Sequence, residues 1–146
     1  MNFFMRGTLD QTSWYVVDEC IKYYELVFGG YELVYQYSSN LLEKAVDLLA
    51  TSWKTNSSEL FPKSLEAPFM RLIKMPKMKS YVRGANDDET TNVCVNLIRD
   101  ILDKFNVVSC MVCVQGDIFC RISAFVYNKI EDYERLNYAV LSLIDF

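Results

Sequence analysis

Val17, Cys20, Ile21, Tyr24, Val27 and Phe28 recur at helical spacing, and Gly29-Gly30 follows as a stop. The spacing predicts a second, longer helix from about Tyr31 to Lys54, with an apolar stripe of Val34, Tyr37, Leu41, Ala45, Leu48 and Leu49. Thr55 to Ser58 is polar and reads as a loop. Ala67 to Met75 reads as a strand bounded by Pro68 and Pro76, because proline cannot donate to a ladder. Lys77 to Glu89 is mostly polar, with its turn expected at Gly84 to Asp88.

Thr90 or Thr91 is expected to cap a third helix whose inward face is Cys94, Leu97, Ile98, Ile101, Leu102 and Phe105. Val107 to Val114 and Ile118 to Tyr127 are β-rich runs joined by a tight turn at Gln115-Gly116-Asp117, which predicts a hairpin. Asn128 and Glu131 have capping-box spacing and open a last helix reaching nearly to Phe146. Its expected buried stripe is Ile130, Tyr133, Asn137, Val140, Leu141 and Ile144. The predicted order is α-α-β-α-β-β-α, an α+β fold with helices layered on a small, mainly antiparallel sheet. Residues 1–60 read as a leading segment with long linking helices, and 61–146 as the α+β small domain.

Composition narrows the function. Of 146 residues, 51% are apolar, which suits a packed globular chain. The net charge of -4 offers no basic patch for nucleic acid or anionic lipid. No apolar run approaches the length of a membrane span, and the first six residues are too short for a signal peptide. The five cysteines show no secreted spacing, so a reduced, cytoplasmic setting is expected. Histidine is absent, which removes Ser-His and Cys-His nucleophile pairs and His-based metal sites. Cys110 and Cys113 lie three apart on a strand and face opposite ways, so they read as core cysteines rather than a metal or redox pair. Asp87-Asp88-Glu89 reads as a solvated lead into a helix N-terminus.

The candidate chemistry centres on Arg121, set inside the apolar run Cys120 to Tyr127. Alternation puts Ile118, Cys120, Ile122 and Ala124 on one face and Phe119, Arg121, Ser123 and Phe125 on the other. A buried guanidinium requires an anion. Arg121 is thus either in an internal ion pair, on a partly solvated strand face, or in a clamp for a ligand carboxylate, which the planar guanidinium binds bidentately. Gly7-Thr8-Leu9-Asp10 reads, on residue chemistry alone, as a turn with Asp10 capping a helix.

The run Arg121 to Leu136, R-I-S-A-F-V-Y-N-x-x-x-D-Y-E-R-L, resembles the C-terminal strand and helix of class V aminotransferase-type enzymes, and most nearly the isopenicillin N epimerase-like group. It is more distantly similar to cysteine desulfurases. Gly7-Thr8-Leu9-Asp10 with Tyr15 resembles the family's G-T-x-D segment, and the likeness spans nearly the whole chain. The resemblance implies the small domain of a fold-type I enzyme that uses pyridoxal 5'-phosphate (PLP) as a homodimer. It implies epimerase, lyase or desulfurase chemistry at Cα or Cβ of an amino acid. Arg121 would hold the substrate carboxylate, and Gly7 and Thr8 would contact the cofactor phosphate. The Schiff-base lysine of the family belongs to a large domain upstream, and no lysine here has its context. This chain alone is therefore expected not to catalyse. Leu9 stands where many relatives have arginine, and Phe125 where many have a polar residue; both bear on substrate preference. The alternative is a non-catalytic α+β binding or dimerisation module derived from that family. A severed domain should expose Phe3-Phe4-Met5, Trp14 and Tyr15, whereas a free-standing module should cover them.

Overall fold

A computed structural model describes residues 12–55 and 66–144. The chain divides into two compact units, Met1–Gln36 and Tyr37–Phe146. The division falls within a helix rather than near residue 60, because Leu41 through Trp53 belong to the core of the second unit.

In the first unit, α1 (Thr12–Tyr15) leads into α2 (Val17–Phe28). Gly29 ends α2 in the left-handed conformation at φ 75°, as the glycine pair predicts, and its N–H donates to the carbonyl of Glu25. No residue of α2 is fully buried; of the apolar stripe read from the sequence, Tyr24 and Phe28 are half-buried, with their rings 5.6 Å apart.

Helix α3 (Tyr31–Trp53) starts where expected. Val34, Leu41, Ala45 and Leu49 of its predicted stripe are buried and Leu48 is half-buried; Leu42, Val46 and Trp53 join them, while Tyr37 is exposed. The buried face is therefore wider than the predicted stripe. Strand β1 (Met70–Lys74) is the central part of the run between the two prolines. Helix α4 (Asp87–Phe105) begins three or four residues before the predicted threonine caps. Asn86 caps it instead, with extended backbone and its side-chain oxygen accepting the Glu89 N–H at 2.8 Å. Thr90 is buried, its hydroxyl accepting from the Gly84 N–H and donating to the Asn86 carbonyl. Two backbone groups of the preceding turn thus occupy the hydroxyl that the sequence suggests as a cap.

Strands β2 (Met111–Val114) and β3 (Asp117–Ser123) form the hairpin, shorter at both outer ends than its β-rich runs. Gln115 (φ 52°) and Gly116 (φ 80°) both take positive φ, the two-residue turn whose twist matches a hairpin. The sheet order is β1-β3-β2 and both pairings are antiparallel. Helix α5 (Ile130–Ser142) closes the unit. Its box is displaced by one residue: Asp132 accepts the Lys129 N–H at 3.0 Å. Asn128 is already committed to a turn, its side-chain oxygen accepting the Phe125 N–H.

The second unit is thus α+β, a three-stranded antiparallel sheet sharing one core with α3, α4 and α5. Ile118, Cys120, Ile122 and Ala124 are all buried, as their alternation predicts. Trp53 donates its indole N–H to Asn137 Oδ1 at 2.9 Å, so Asn137 in the expected stripe of α5 serves as a polar partner. Among the described residues, no helix is long and apolar enough to cross a membrane.

Candidate functional site

Strand β3 lies in the middle of the sheet, which fixes Arg121 from both sides. It sits opposite Leu72 on β1, and its N–H donates to the Cys110 carbonyl at 2.8 Å just before β2. Its neighbours Cys120 and Ile122 are buried on the core side, so Arg121 and Ser123 are turned to the other face and are exposed. The sequence premise of a buried guanidinium is corrected here: Arg121 is on a solvent-accessible face and pairs with no carboxylate among the described residues. The arginine with an internal ion-pair network is Arg71 on β1. It meets Glu43 at 2.8 Å and Glu66 at 3.0 Å, with its side chain only 13% exposed.

Arg121 lines a groove of about 680 Å³. Its walls are the segment 106–110, the β3 residues Cys120 to Ser123, the turn at Tyr127-Asn128, and one face of α5 that includes Asp132 and Arg135. Two contacts set its shape. Tyr133 on α5 donates its hydroxyl to the Ser123 carbonyl at 2.7 Å, tying α5 to the end of β3. Tyr37 on α3 donates to the Asn128 carbonyl at 2.7 Å, holding the turn from outside the groove. Phe125 is half-buried behind the groove, with its ring 5.6 Å from that of Tyr127.

The groove's electrostatics suit an anion. Two guanidiniums and one carboxylate line it, and neither Arg121 nor Arg135 is ion-paired among the described residues. The Ser109 hydroxyl is buried in the groove wall and has no hydrogen-bond partner among the described residues. Burial, with the Asp132 charge adding to it, pushes the Tyr133 phenol up to about 12, so it stays a neutral donor. Asp132 and Arg135 stand in the sequence as the D and R of the D-Y-E-R-L end of the run from Arg121 to Leu136, without a role assigned to either; their spacing of three puts them on one helix face beside buried Tyr133 and Leu136.

Gly7 and Thr8, with Leu9, Asp10 and Phe3-Phe4-Met5, lie outside the described residues. No lysine lines the groove. Lys22 and Lys104 each pair with an acidic residue one turn away on their own helix, and Lys74 pairs with Asp117. Among the described residues no amine lines the groove to bond the carbonyl of PLP, so the described part of the chain does not by itself fit that cofactor. All five cysteines are free. Cys120 is buried and burial pushes its thiol up to about 12, whereas Cys113, expected to be deep, is half-buried with its sulfur 3.6 Å from Asp87 Oδ1.

Compared with known proteins, the chain matches no protein-family model and no curated protein.

Proposed function

We propose that this chain is the small domain of a PLP-dependent enzyme of the class V aminotransferase type, isopenicillin N epimerase-like, and that it holds the carboxylate of an amino-acid substrate. One observation carries the reading. Arg121, at the head of the R-I-S-A-F-V-Y-N run, is exposed at a groove and forms no ion pair among the described residues. A structural arginine resembles Arg71, enclosed by two glutamates; Arg121 has the opposite environment.

In this reading Arg121 binds and orients the carboxylate, and the rigid central strand supplies its precision. Tyr133 keeps α5 against β3 so that the groove retains its width. The electron sink for reaction at Cα or Cβ would be PLP on a large domain outside this chain. A homodimer and a phosphate contact from Gly7 and Thr8 rest on the resemblance alone.

The test is the size of the natural polypeptide, detected with an antibody against this chain. A much longer product that carries PLP, and whose KM for the amino acid rises in Arg121→Lys, is the expected result. A natural product of this size without cofactor overturns the enzyme reading and leaves a binding or dimerisation module.

A further inference from the structure

The groove contains a second cation that the carboxylate clamp does not use. Arg135 lies on α5 and lines the same cavity as Arg121 of β3. Asp132 lines it too, three residues earlier on the same helix face. A pair at that spacing commonly joins, yet Asp132 and Arg135 form no ion pair. Asp132 is instead held at the helix start, where its Oδ2 accepts the Lys129 N–H. Arg135 is exposed and has no carboxylate partner among the described residues.

Two unpaired guanidiniums from different elements thus border one groove, with a carboxylate anchored near one of them. We infer that the groove takes a ligand with two anionic groups, an amino acid whose side chain ends in a second carboxylate. This deepens the proposed function and rests on it: Arg121 holds the first carboxylate, and Arg135 selects for the second. A ligand with an uncharged side chain would leave Arg135 solvated and gain nothing from it. Both arginines are water-exposed, so the second contact is worth a modest factor rather than a large one.

The experiment titrates the full chain with succinate, glutarate and adipate, each against the monocarboxylate of the same carbon count, while the arginine side-chain NMR signals are followed. At least one dicarboxylate should bind roughly fivefold tighter than its partner, which corresponds to one exposed ion pair. Arg135→Ala should remove that advantage, and Arg135→Lys should keep part of it. Arg121→Ala should weaken both classes. Equal binding of dicarboxylates and monocarboxylates, or an advantage that survives Arg135→Ala, overturns the two-anion inference while the single-carboxylate reading stands. If neither class perturbs Arg121, the carboxylate site itself is overturned, and the inference falls with it.

Discussion

Trp53 Nε1 donates to Asn137 Oδ1 at 2.9 Å, joining the last residue of α3 to the middle of α5 across 84 positions of sequence. Trp53 is only 4% exposed, so its indole N–H depends on Asn137, itself half-buried, for a partner. Asn137→Leu should strand the indole N–H and lower unfolding stability by about 1–3 kcal/mol. Trp53→Phe should also destabilise, by losing the hydrogen bond to Asn137 and part of the indole's core packing. The double variant Trp53→Phe/Asn137→Leu should cost less than the sum of the two, measured by urea denaturation. Strict additivity would mean that the pair is not coupled.

Asn86 is the cap of α4, and its side chain also donates to Glu89, which reaches back to the Ala85 N–H. Asn86→Ala is expected to lower stability by about 1 kcal/mol. Thr91→Ala, at one of the caps suggested by sequence, should cost less, because its hydroxyl only donates back to the Asp87 carbonyl within the helix. Thermal melts of the two variants give the order directly.

Tyr133 makes stability depend on alkaline pH. Burial holds its phenol neutral up to about 12 against an ordinary value of 10.0, so the fold favours the protonated form. That contribution is complete below pH 10 and is lost as the pH rises towards 12. Tyr133→Phe should be less stable than the parent at pH 8, because its hydrogen bond to Ser123 is gone. It should also lose stability less steeply between pH 10 and 12. Urea midpoints measured across this range for both proteins test the difference in slope.

Gly116 stands at φ 80°, and a Cβ there would lie 2.8 Å from the Arg83 guanidinium. Gly116→Ala should therefore destabilise the hairpin by roughly 1 kcal/mol from the backbone alone, with displacement of Arg83 in addition. Gln115, at φ 52°, offers the opposite change. Gln115→Asn should raise the melting temperature, since asparagine tolerates the left-handed region that this turn requires.

Local rules account for much of the fold. The stop of α2 at Gly29, the start of α3 at Tyr31 and the hairpin turn at Gln115-Gly116 follow from nearest-neighbour backbone preferences. The alternation that buries Ile118, Cys120, Ile122 and Ala124 follows from the pleat. Caps were less legible. Thr90, Asn86 and Asn128 all have side chains able to cap, and competing turns decided which of them did.

The sequence by itself determined where the chain becomes helix or strand and which face of β3 is apolar, because those depend on residues a few positions apart. It also placed Arg121 on the face opposite that apolar set. Only the tertiary structure decided what Arg121 meets, since its surroundings come from elements far away in the chain. Glu43 and Glu66 enclose Arg71 rather than Arg121, and α5 brings Asp132 and Arg135 to the groove. A charge is paired or left free by the three-dimensional arrangement of its neighbours, and one-dimensional spacing does not record that arrangement.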